Sequence, residues 1–176
     1  MAIWQFRLIL IPEKILLSRY EVLPLRLSQK VAENVLWWSD VQPVAGFEKW
    51  IDLILTQAPS WSSSMRMWGE KRGNEAYVCY ADLGMTIVEE IAFRIDVREI
   101  SSDFIHQICV LAKQLDCVLM TTDYSILVPD EACVLTAMAN STAQKYLVDP
   151  ASALSSIDQR QFDHLNDLEK HKRSKN

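Results

Sequence analysis

Few side chains in this sequence stand where they could share chemistry. His106 is three residues from Asp103 in a stretch of helical periodicity, which places the two close together on one helical surface. An imidazole beside a carboxylate is the beginning of a general-base pair. No nucleophile or glycine-rich loop is arranged around it, so the pair reads as a surface contact of a helix. Glu89 and Glu90 are adjacent in a stretch of strand alternation, so they project to opposite faces and cannot work as one acid and base. Asp96 stands between Arg94 and Arg98, whose charges favour its ionised form and make it a poor proton donor. Asp123 and Asp130 flank an apolar segment that contains no evident metal partner.

Other chemistries lack their patterns. Ser39, Ser125 and Ser141 are outside any GxSxG turn, and Gly69 with Gly73 lacks the Lys-Ser/Thr ending of a phosphate loop. Cys79, Cys109, Cys117 and Cys133 show neither CxxC spacing nor neighbouring histidines, while His164 and His171 fall in a polar C-terminal stretch without ligand spacing. Buried reduced thiols fit these cysteines best, although spacing alone leaves a bridge between Cys109 and Cys117 open. The sequence therefore predicts no catalytic set, no metal and no cofactor.

Recognition makes better use of the same residues. In a strand, Arg94, Asp96 and Arg98 form a plus, minus, plus row on one face, held by neighbouring charge attraction and serving either as a solvated face or as a docking face. The chain also has six tryptophans. Trp61 and Trp68, with serines between them, are the best candidates for contact residues, because aromatic rings supply large area at low entropy cost. Packing remains the commoner fate of any single tryptophan. Glu70 joins the candidate surface from the turn that follows Trp68.

The elements that must position these residues are legible in part. Ile91, Phe93, Ile95 and Val97 recur at every second position over 88–98, the period of a strand with an apolar and a charged face. Residues 76–80 give a second strand, and Asp82-Leu83-Gly84 a tight reversal between the two, so they are expected as antiparallel neighbours. Further strands are expected at 3–11, 65–68, 117–120 and 125–128. An amphipathic helix is expected over 47–55, and another after a cap at Ser101 or Ser102, with Phe104, Ile105, Ile108, Cys109, Leu111, Ala112 and Leu115 on its apolar stripe. Helical pieces begin at Asp130 and Ser141. Pro24 forbids a helix through 16–27, so an extended connection is expected after Arg19, leading to Trp37 and Trp38, of which at least one is expected to be partly exposed.

At 176 residues and 49% hydrophobic, the chain suits one α+β domain over 1–157, followed by a polar C-terminal tail over 158–176. The expected architecture is a mainly antiparallel sheet of four to six strands with helices packed on one face, an order that permits a ferredoxin-like variant. A net charge of −5 argues against a nucleic-acid partner and is more natural for a protein that meets a basic one. The apolar N-terminal run is interrupted by Arg7 and has no positive n-region or cleavage site, and no run approaches a membrane span. A cytoplasmic location without membrane contact is expected.

Trp68-Gly69-Glu70, Gly73-Asn74, the Arg-x-Asp-x-Arg run 94–98, Phe104, Leu111-Ala112 and Asp116-Cys117 together resemble a small bacterial family similar to immunity proteins that accompany polymorphic toxins. Ser141-Thr142-Ala143 and Val148-Asp149-Pro150 fit the same likeness, which spans about 61–154. The resemblance implies a non-enzymatic protein-binding domain that neutralises a cognate toxin by stoichiometric binding, through Arg94, Asp96, Arg98, Trp61, Trp68 and Glu70. Two alternatives stay open. One is a small enzyme with a site assembled from Asp96, His106 and Asp123, and the other is a structural or regulatory module that forms a homodimer.

Overall fold

The computed structural model describes residues 2–155. The tail expected over 158–176, with His164 and His171, lies outside the described residues.

The organising strand is β5 (Val88–Asp96), and it lies at the centre of a seven-stranded sheet in which every pairing is antiparallel. On one side it pairs with β4 (Glu75–Tyr80), which pairs in turn with β3 (Met65–Gly69) and the two-residue edge strand β2 (Gln57–Ala58). On the other side β1 (Gln5–Pro12) joins β5 to β6 (Cys117–Thr121), and β7 (Ile126–Leu127) follows. The hairpin expected between 76–80 and the charged strand is formed, and Asp82 organises its turn by accepting hydrogen bonds from Thr86 N (2.9 Å) and Ile87 N (2.8 Å).

The inner strands run β4-β5-β1-β6, the order of a ferredoxin-like variant, with the other three strands added at the edges. The strand beyond the four to six expected is β2, whose two residues are too few to carry an alternation of their own, while β7 falls within the strand expected at 125–128.

Cross-strand partners project to the same side of a sheet, so the register sorts side chains into two faces. One face carries Leu8, Phe93, Ala76 and Trp68. Helix α4 (Ser102–Gln114) lies against it, with Phe104 meeting Phe93 edge-on at 6.2 Å between ring centroids. Ser101 caps α4 by accepting from Phe104 N at 3.2 Å, and the expected stripe from Phe104 to Ala112 is buried. Helix α3 (Glu48–Asp52) sits on the same face: Asp52 accepts from the Trp68 indole at 2.7 Å, and Glu48 accepts from the Tyr80 hydroxyl at 3.0 Å. It is shorter than the helix expected over 47–55. Helix α5 (Glu131–Ala139), capped by Asp130, packs on α4, and α6 (Thr142–Val148), capped by Ser141, packs on α5. Helix α7 (Pro150–Ser155) follows at once.

Helix α1 (Glu13–Arg19) packs against β1 and β6, and the chain is extended after Arg19, as Pro24 requires. Helix α2 (Gln29–Asn34), capped by Ser28, interrupts the connection that the sequence leads one to expect as wholly extended. Its six residues are too few to display a helical period. Trp37 and Trp38 are both buried, which corrects the expectation that one would be partly exposed. Nearby, Gln42 acts as a short peptide edge: its Oε1 accepts from Val88 N at 2.7 Å while its Nε2 donates to Val88 O at 3.2 Å and to Trp38 O. One side chain thereby satisfies both backbone groups of Val88 and ties the connection to β5.

Candidate functional site

The second face of the sheet behaves differently across its width. Toward β6 its residues are apolar and buried, with Ile9, Ile11, Val118 and Met120 at or below 9% exposure. Over β4, β5 and the start of β1 it is polar, and its outermost layer is built of charged side chains.

Register explains the layer. Glu75 is the direct cross-strand partner of Arg94, and the two form an ion pair at 2.8 Å. Tyr77 faces Ala92, the smallest side chain on that stretch of β5, and its ring occupies the space above it. Arg7 on β1 faces Arg94, yet its guanidinium pairs with Glu90, four residues back along β5, at 2.7 Å. The Tyr77 ring is thus flanked by two guanidiniums, with the Arg94 carbon 4.8 Å and the Arg7 carbon 5.6 Å from its centroid, the geometry of cation–π contact. The Nε groups of both arginines are enclosed and have no hydrogen-bond partner among the described residues. Burial pushes the Tyr77 phenol well above its usual range, and Glu90 and Tyr77 outweigh burial to keep the Arg7 guanidinium firmly charged. Side-chain exposures of 25% for Arg7, 31% for Glu90 and 20% for Arg94 leave this layer in reach of another molecule.

At the Asp96 end, the turn 70–74 is clasped against the sheet. Trp4 Nε1 and Arg98 Nη2 both donate to Arg72 O, at 3.2 and 3.1 Å, and the Arg98 guanidinium stacks over the Trp4 ring at 4.4 Å. Gln5 donates to Gly73 O, Asn74 accepts from Asp96 N, and Glu75 accepts from Arg72 N. Gly69 opens this turn with φ of +88°, and a Cβ there would stand 2.1 Å from Asn74 O. Only glycine meets both conditions.

The candidate residues fall out as follows. Arg94, Asp96 and Arg98 share one neighbourhood, but they do not hold one another as a single row. Arg94 pairs with Glu75, whereas Asp96 accepts from Arg98 Nη2 at 2.6 Å and Nε at 2.9 Å, because Arg98 lies beyond the end of β5 and folds back on it. That hydrogen bonding holds the Asp96 carboxyl below the usual carboxylate range. Glu70 is exposed in the adjoining turn. Trp68 is 1% exposed and hydrogen-bonded to Asp52, so its place among the contact residues is corrected: its strand parity turns it toward the helices. Trp61, in the loop between β2 and β3, is 72% exposed. Trp61 precedes β3 and Glu70 follows it, so the two belong to the loops at opposite ends of that strand.

Asp96, His106 and Asp123 do not come together. Asp96 is engaged by Arg98 on the second face, and His106 Nδ1 lies 2.6 Å from Glu131 on the helical side. Asp123 sits in the β6–β7 turn with Thr121 and Ser125 donating to its two oxygens. Burial pushes this carboxyl up, but those hydroxyls and the charge of Arg26 outweigh it and leave the group below its usual range. Cys109 and Cys117 are both buried and are not bridged to each other; burial pushes the Cys109 thiol up to about 11. No group of three or more His, Cys, Asp or Glu side chains among the described residues has a metal-holding arrangement. No helix among them is long and apolar enough to cross a membrane.

Arg7, Tyr77, Glu75 and Glu90 are the members of the site that sequence reasoning missed as a group. One signal was available: Arg7 breaks an otherwise apolar strand, and a charge in that setting needs a partner. The register that supplies Glu90 is a tertiary fact.

Compared with protein-family models, with curated proteins and with solved structures, the chain shows no significant match to any of the three.

Proposed function

We propose that this chain is a non-enzymatic protein-binding domain that docks one partner on the half-open face of its sheet. The observation that supports this reading is the charged layer over β4, β5 and β1, outermost on a face whose opposite side is covered by α3 and α4. Each exposed charge there already has a partner, so an approaching surface covers ion pairs rather than single ions, and the desolvation cost falls accordingly. Charges of both signs fix register, and Trp61, exposed in the loop before β3, supplies apolar area of the kind that dominates binding energy.

The finer reading is an immunity-type protein that acts in the cytoplasm and neutralises a cognate bacterial toxin by equimolar occupation. Its support is the resemblance carried by the 94–98 run and the residues around it, together with a net charge of −5 that suits a basic partner. The experiment is co-purification from the source organism with mass determination of the complex, followed by co-expression of the partner with and without this chain. One equimolar partner whose toxicity is relieved supports the reading in full. An equimolar partner without toxicity removes the immunity function and keeps the binding module. Absence of any partner from folded protein overturns both.

A further inference from the structure

A second site lies on the opposite face, away from the proposed docking surface. Between α5, the start of α6 and the β6–β7 turn is a cavity of about 670 Å³, within the size range of small-molecule sites. Phe6, Leu127 and Ala137 provide apolar lining. Asp123 enters from the turn and Lys145 from α6, so the lining contains one carboxylate and one ammonium from different elements.

The two charges differ in how they are held. Asp123 is oriented by hydroxyl donors on both oxygens: Thr121 Oγ1 donates to Oδ1, and Ser125 Oγ donates to Oδ2 at 2.9 Å. Neutral donors fix the carboxylate without cancelling its charge. Arg26 donates its Nε to the Asp123 backbone carbonyl at 2.8 Å, and its charge helps to keep the carboxyl ionised. Lys145 forms no ion pair among the described residues, and Asn140 adds an amide to the lining.

We propose that this cavity binds a short zwitterionic peptide with free termini, its ammonium on Asp123, its carboxylate on Lys145, and its apolar side chains against Phe6, Leu127 and Ala137. A lone cation or a lone anion would satisfy one charge and leave the other facing it as a like charge, which penalises both.

The test is titration of the full chain with leucyl-leucine, followed by amide chemical shifts, beside the N-acetylated and C-amidated forms of the same dipeptide. The expected result is saturable shifts at Thr122, Asn140 and Lys145, with either blocked form weaker by about tenfold or more. Lys145→Ala, an exposed change that leaves the β6–β7 turn intact, should weaken the free dipeptide by a similar factor and bind the amidated form as well as or better than the unchanged chain does, because the like charge is gone. Asp123→Asn should do the converse with the acetylated form. Equal affinity for free and blocked peptides overturns the proposal, as does the absence of saturable shifts at millimolar dipeptide. Neither result bears on the protein-docking face, which the titration does not engage.

Discussion

Arg7 and Glu90 meet at 2.7 Å although they are not cross-strand partners: the guanidinium passes over Ala92 to reach a carboxylate four residues from its own register position. The reach is possible because Ala92 leaves the space that the Tyr77 ring and the Arg7 side chain share. The charged layer of the open face is therefore a packed structure in which one small residue sets the geometry of three large ones.

Enlarging Ala92 should dismantle the layer. Ala92→Leu puts a branched side chain beneath the Tyr77 ring, at a position with 0% exposure, and overpacking of this kind costs about 1–3 kcal/mol. Denaturant unfolding should report that loss.

The two ion pairs should differ in weight. Arg94→Ala leaves Glu75, with a side chain 6% exposed, unpaired and enclosed, and an uncompensated buried charge costs about 3 kcal/mol or more. Arg7→Ala leaves Glu90, 31% exposed, in contact with water, where the loss of a partner is worth about 1 kcal/mol or less. The same unfolding experiment ranks them.

The tryptophans should separate cleanly. Trp68→Ala empties a fully buried site and frees Asp52, so a loss of about 3–5 kcal/mol is expected. Trp61→Ala, at a 72% exposed position, should change stability by less than about 0.5 kcal/mol and weaken partner binding. Paired measurements of melting and of complex formation distinguish the two roles.

Acid should weaken the clasp at the Asp96 end. Arg98 hydrogen bonds lower the Asp96 carboxyl in the folded state, below the usual value of about 3.9 that it regains on unfolding. The unfolded chain then binds the proton more readily, so this contribution is complete above the unfolded value and is lost as pH falls through the folded one. Asp82 and Asp123 shift in the same direction and add to the same acid limb. Asp96→Asn should flatten the fall in stability below about pH 4, as read from unfolding free energies across pH.

What the sequence revealed follows from which interactions are local. The alternation around Phe93, the turn at Asp82 and the Ser101 cap are settled within a few residues, and all three are present in the fold. The partner of Arg94 was not readable, because Glu75 lies 19 residues away and only the β4–β5 register brings it opposite. Trp68 looked like a contact residue for the same reason. Its neighbour Met67 takes the opposite face, and nothing within Met65–Gly69 says which of the two meets the helices. Helix α2 and the short strand β2 owe their existence to the elements they touch rather than to a period of their own.

The central claim is that a partner covers the half-open face, and the most direct measurement is a hydroxyl-radical footprint of the purified equimolar complex against the free chain. The account predicts protection of Trp61, Met67 and Trp4, which border or lie on that face, with no change at Leu135 and Tyr146 on the helical side. Protection confined to Leu135 and Tyr146, with Met67 as reactive as in the free chain, would contradict it.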